Sequence, residues 1–302
     1  MTTATPTETT EDQRLARRYE RWDEMSDEYR DGVVRITTFQ ALAELVGVLP
    51  FAAWLDRAPS LARKQMLMAK VQDEVGHGHV TARVAEDLGY DRSRILRDYV
   101  EGRTKVLNVF HYDFLTWEEI GPAALLMNSA AIVQFQSLAR GTYLPYARAL
   151  KKIEREESFH YHHAIDLTDE TMVHGDARQR ALARDAVETW MPRMLAYFGP
   201  PDGQKIHENR LYRLGIKVDS NDHLREAWLT KIVPVLERLG VGPRPELVRR
   251  DESEGRWVYP TPDWKAVKHV IDGNGPASRA RVDAIRGALH KNAAYRAAAE
   301  AA

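Results

Sequence analysis

No cysteine occurs anywhere in the 302 residues. That excludes disulfides, thiolate metal sites, iron–sulfur clusters and cysteine nucleophiles, so any transition metal must be held by His, Asp and Glu. An excess of one charge is missing as well. Lys and Arg number 43 against 44 Asp and Glu, for a net charge of -1, and bulk charge gives no support for nucleic acid as a partner. No uncharged apolar run approaches the length of a membrane span. The first residues, MTTATPTETTEDQ, are polar and acidic and lack the apolar stretch of a secretory signal. The expectation is a soluble, cytoplasmic protein with no membrane segment.

Alternating strand patterns are scarce, and helical periodicity dominates after a Thr- and Pro-rich tail over residues 1–12 that reads as disordered. One helix is expected from about Val33 to Leu49, stopped by Pro50, and a second from about Pro59 to Leu88, with Gly89 as its C-terminal stop. A third begins at Thr116, where Thr116 and Glu119 match a capping box, and runs to about Arg140. A fourth covers about Tyr143 to Asp169. A further helix, interrupted by Pro192, covers Asp176 to Tyr197, and another runs from Ser220 to Leu239. Residues 241–276 carry much of the remaining Pro and Gly and suggest an irregular or hairpin element before a last helix from Ala277. No linker divides the chain. A single helical domain over residues 13–302 follows, with a bundle core at about 33–198 and a C-terminal extension at about 199–302.

The informative residues are polar groups lodged in apolar helical surroundings. Glu44 sits within Ala41-Leu42-Ala43-Glu44-Leu45-Val46, where a bare buried carboxylate would be costly. Glu74 and His77 form Glu-x-x-His on the second helix, and Glu157 and His160 repeat it on the fourth. Residues three apart lie on nearly the same helix face, so each carboxylate and imidazole can converge on one ion. Each feature alone has an ordinary explanation: a single Glu-x-x-His is common on exposed helices, and Glu44 could be half of an ion pair. His79, His162 and His163 read as exposed or supporting groups, and Lys151-Lys152 as a solvated face. Jointly, two such motifs plus acids from two other helices form the ligand scheme of ferritin-like di-iron proteins. Imidazole and carboxylate donors suit iron or manganese. The fold expectation is therefore all-α, a ferritin-like four-helix bundle with additional helices.

The local sequences resemble the catalytic-subunit family of phenylacetyl-CoA 1,2-epoxidase. The resemblance is carried by Ala69-Lys70-Val71-Gln72-Asp73-Glu74 with Gly76-His77-Gly78, by Thr116-Trp117 with Ile120-Gly121, and by Lys152-Ile153 with Glu156-Glu157-Ser158-Phe159-His160. It extends through Phe198-Gly199-Pro200 and covers about residues 20–295. It implies ring epoxidation of an aromatic acyl-CoA by dioxygen, with two irons and electrons from a separate flavin and iron–sulfur reductase. It also implies a CoA-thioester substrate, an oligomeric assembly and an inactive ferritin-like partner subunit. Carried over by position, the metal ligands are Glu44, Glu74, His77, Glu157 and His160, with Glu74 and Glu157 bridging. Lys70 matches a family lysine near the active site, with a role in substrate positioning.

One position departs from the family pattern. Its third-helix ligand is an aspartate, and the matching residue here is Asn128; no Asp or Glu occurs between residues 120 and 153 to replace it. Asn128 can ligate through its amide oxygen, but it is neutral, so the ion at His160 is expected to be the weaker one. Two alternatives stay open on this ground: a degenerate, structural ferritin-like subunit, or a paralogue with a mononuclear centre. Iron storage fits the ligands but not the resemblance.

Overall fold

A computed structural model describes residues 11–203 and 209–300. The expected tail lies outside them except for its last two residues, which begin a short helix, α1 (Glu11–Ala16). The described residues are all-α apart from one antiparallel hairpin, β1 (Arg249–Asp251) paired with β2 (Arg256–Val258), which falls where an irregular or hairpin element was expected.

Four long helices form the bundle: α2 (Asp27–Gly47), α4 (Leu61–Asp87), α6 (Trp117–Leu138) and α7 (Leu144–His174). A short α3 (Leu49–Ala52) follows α2, with Pro50 in its first turn, and α5 (Arg94–Val100) follows α4. α8 (Ala177–Leu195) and α10 (Asn221–Arg238) lie against α6, with a one-turn α9 (Arg210–Arg213) between them. After the hairpin come α11 (Trp264–His269) and α12 (Ser278–Glu300).

Ser60, Asp176 and Ser220 start α4, α8 and α10, each side chain accepting a hydrogen bond from the backbone N–H three residues on. Thr116 behaves differently. It occupies the position before α6 but makes no side-chain cap, and Glu119 instead accepts from the backbone N–H of Leu115 and the indole of Trp190. The capping box is thus replaced by a buried carboxylate that ties α6 to α8. α8 also runs unbroken through Pro192. So close to the helix end, proline removes only the hydrogen bond that the Glu188 carbonyl would have received.

α6 is buried nearly all round because α7 covers one side while α8 and α10 cover the other. Two glycines set the closest approaches. A β-carbon on Gly121 would stand 2.8 Å from Thr168 Oγ1 and 2.9 Å from the Thr168 backbone nitrogen, so only glycine lets α6 meet α7 there. On Gly78 it would stand 3.0 Å from Leu45, where α4 meets α2. α10 contributes Leu224, Trp228, Leu229, Ile232 and Leu236 to the same apolar cluster as α6 and α8. The segment Asp27–Ala52 is long and apolar enough by composition to cross a membrane, yet it packs along α4 and carries Glu44 inward.

Candidate metal centre

α4 and α7 run antiparallel, a register fixed by pairs that cross between them: Arg63 with Glu170, Asp73 with His160, and His77 with Glu156. Along α4, Lys70, Glu74 and His77 share one buried face; along α7, Ile153, Glu157, His160 and Ala164 form one inward stripe at helical spacing. Glu44 arrives from α2 and Asn128 from α6.

The structure brings Glu44, Glu74, His77 and Glu157 together, one donor atom from each lying within 4.8 Å of all the others. The two shared carboxylates each turn one oxygen to each imidazole. His77 Nδ1 stands 3.4 Å from Glu74 Oε2 and 3.3 Å from Glu157 Oε1. His160 Nδ1 stands 3.5 Å from Glu74 Oε1 and 3.4 Å from Glu157 Oε2. Among the described residues neither Nδ1 has a hydrogen-bond partner, although both are buried. Each ring's outer nitrogen is occupied: His77 Nε2 meets Glu156 at 3.0 Å and His160 Nε2 meets Asp73 at 3.2 Å. Two imidazoles held from behind by carboxylates, with bare inner nitrogens facing acids, fit a metal ion. The outer acids were not singled out from sequence. A signal was available, since both motifs read acid-Glu-x-x-His and each extra acid reaches the other motif's ring.

The charges explain one another. Burial and the neighbouring Glu74 and Glu157 hold the Glu44 carboxyl well above the usual carboxylate range. Burial works against charge on Glu74 too, but Lys70 and His77 outweigh it and lower it well below that range. Glu157 is also lowered: burial and Glu74 oppose its charge, and the two nearby imidazoles, with Lys70, prevail. His77 is pushed up to about 11: burial disfavours its charged form, and Glu157 and Glu74 overcome that. Carboxylates that favour a proton on an imidazole equally favour a cation beside it. Glu44 is steadied by Gln40, whose amide donates to it at 3.3 Å and whose oxygen accepts from the Tyr146 hydroxyl.

Lys70 is buried and its ammonium donates to Glu74 Oε1 and, at 3.3 Å, to Asn128 Oδ1. Asn128 Nδ2 has no partner. His79 and His162 are exposed and His163 is half-buried, and none of them is among the four converging donors. A cavity of about 280 Å³ opens against the cluster, with Glu44, Lys70, Glu74, Asn128 and Glu157 on one wall and Phe39, Phe51, Phe110, Met127 and Phe135 on others. Lys217 also lines it, with no described carboxylate in ion-pair reach; its ammonium donates to Asn221. Sequence reading missed this lysine, which lies in the weakly periodic stretch before α10.

Fold and site together define an all-α, ferritin-like protein with a buried Glu/His cluster that could hold a metal ion beside an apolar cavity. Residues 3–280 match the family described as "Phenylacetic acid catabolic protein". The chain is similar to the A subunit of 1,2-phenylacetyl-CoA epoxidase from Escherichia coli (strain K12), with 38% identity over 279 residues that cover 92% of this chain and 89% of the relative. The chain belongs to the phenylacetic acid catabolic protein family, and it is an enzyme of the monooxygenase class.

Proposed function

We propose that this chain is the oxygenase subunit of a multicomponent non-haem iron monooxygenase that epoxidises the ring of an aromatic acyl-CoA such as phenylacetyl-CoA. The observation that carries this reading is the pair of unpartnered inner imidazole nitrogens, each facing one oxygen of Glu74 and one of Glu157, on the wall of an apolar cavity. Kinship to an epoxidase subunit supplies the reaction class.

Glu44, Glu74, His77, Glu157 and His160 would hold iron, with a place at each histidine and the two shared glutamates between. Bound iron would supply the dioxygen chemistry. The chain's own residues do the rest. Glu156 and Asp73 keep the imidazoles in the tautomer that leaves Nδ1 free to ligate. Gln40 and Tyr146 orient Glu44. The phenylalanine-rich cavity accepts an aromatic ring and keeps water from it, and Lys70 places a positive charge on the cavity wall for a polar part of the substrate. We assign electron delivery to a separate reductase, in keeping with a chain that has no cysteine to build an iron–sulfur cluster of its own. The relative is one subunit of its epoxidase, which supports an assembly with further components; we propose a ferritin-like partner subunit among them.

The test is oxygen uptake by the iron-loaded chain, assembled with its companion proteins and a reductase. Uptake that depends on both phenylacetyl-CoA and reductant is expected. Uptake indifferent to the thioester would remove the proposed substrate class, and no uptake in any assembly would remove the oxygenase reading.

A further inference from the structure

The two histidines face unequal surroundings. On the His77 side, Glu74 and Glu157 are joined by Glu44, and these four donors converge. On the inner side of His160, among the described residues, α6 contributes only Asn128, and the one further carboxylate at the ring, Asp73, meets its outer nitrogen. The Lys70 ammonium rests on Glu74 Oε1, the same oxygen that faces His160 Nδ1. It also fixes the Asn128 amide. An ammonium has only N–H groups to offer, so Asn128 must turn its oxygen to Lys70, and its NH₂ is left buried without a partner. In that orientation the amide oxygen already faces the ammonium, and the NH₂ on its other side cannot ligate a cation.

Charge balance points the same way. As ligands, deprotonated, Glu44, Glu74 and Glu157 would bring three negative charges against the one positive charge of Lys70, while ligating imidazoles are neutral. One divalent ion closes that balance. A second would leave two uncompensated positive charges in a buried site, which is strongly unfavourable. Asp73 and Glu156 do not alter the count, since both reach partial exposure where solvent screens them, and Glu156 is already paired with Lys152.

We propose that this centre binds one divalent ion tightly on the His77 side, with Lys70 serving as the built-in second cation beside His160. The inference rests on the iron reading above and deepens it. A second ion enters only by displacing the Lys70 ammonium from Glu74 and Asn128, so it binds at least roughly a hundredfold more weakly than the first.

The experiment is anaerobic equilibrium dialysis of the full chain against Fe(II), and separately Co(II), with ions per chain counted by metal analysis. It compares the natural protein with N128D, the N128D/K70Q double variant, H77A and H160A, each checked for native melting. The natural protein should saturate near one ion before a much weaker second. N128D, a nearly isosteric change, should tighten the second site at least about tenfold. The double variant, charge-balanced for two ions, should hold two with similar affinity. H160A should keep the tight ion and H77A should lose it. Two equally tight ions in the natural protein would overturn the inference alone, as would unchanged stoichiometry in N128D and the double variant, or a tight ion that survives H77A but not H160A. No ion in the natural protein would overturn the iron reading with it.

Discussion

Glu156 makes the sharpest single test of how the chain prepares its ligands. Its carboxylate meets His77 Nε2 at 3.0 Å and is otherwise engaged only with Lys152, and its side chain is 31% exposed. Replacing it by alanine deletes no core packing, and the surface pair with Lys152 contributes at most about 1 kcal/mol. The global fold should therefore hold. What changes is the ring: without an acceptor at Nε2, the proton distributes over both nitrogens, and the ring is free to rotate. Loss of such an outer carboxylate typically weakens metal binding by roughly ten- to a hundredfold, or about 1.4–2.7 kcal/mol. E156Q keeps an acceptor oxygen but not the charge, so its loss should be smaller, within about tenfold. A competition titration of Co(II) against a chelator of known affinity reads this directly, with thermal melting as the control. If E156A binds the first ion as tightly as the natural protein, the outer carboxylate does not position His77, and the reasoning about imidazole orientation fails.

Three further outcomes follow from the packing. G121A should lower the melting temperature through a net destabilisation of about 1–3 kcal/mol, because its methyl group would press on the Thr168 backbone; an unchanged melt would show that α6 and α7 can separate at no cost. E119A should destabilise by about 2–4 kcal/mol, since it strips the Leu115 N–H and leaves the buried Trp190 indole unpaired, while E119Q should recover part of this in denaturant titrations. Burial lowers Lys217 from 10.5 to about 8, so between these values the unfolded chain binds the extra proton and stability rises with pH. Relative to K217M, the natural protein should gain on the order of 3 kcal/mol between pH 8 and pH 10.5, and parallel profiles would refute the assignment.

The parts of the site legible in sequence were those governed by spacing within one helix. Glu74 with His77 and Glu157 with His160 are periodic, and Ile153 and Ala164 mark the inward stripe around the second pair. Glu44 was legible because a carboxylate in an apolar helix demands a partner. Contacts that depend on register between helices were not legible. Asp73 and Glu156 look like surface acids until α4 and α7 are laid antiparallel, when each reaches the opposite ring. The same holds for Lys70 and Asn128, which lie on different helices and meet only in the bundle. Local signals misled at two places. Thr116 and Glu119 fit a capping box, but burial against Trp190 claimed the carboxylate, and Pro192 sat too near a helix end to break it. α7 also continues past the expected Asp169 to His174, with Thr168 and Thr171 donating back to the carbonyls of Ala164 and Leu167. α5 was missed, as a short helix offers too few turns for periodicity to register.

If this chain places oxygen from dioxygen onto an aromatic acyl-CoA at the Glu/His centre, the label of the gas must reach the thioester. The most direct measurement supplies isotopically labelled dioxygen to the iron-loaded, reduced assembly with phenylacetyl-CoA and weighs the CoA thioester by mass spectrometry. One labelled oxygen atom per product is expected with the natural chain, and none when E157A replaces it. An unlabelled thioester from a well-folded, iron-bearing natural chain, or labelling that persists in E157A, would contradict the assignment.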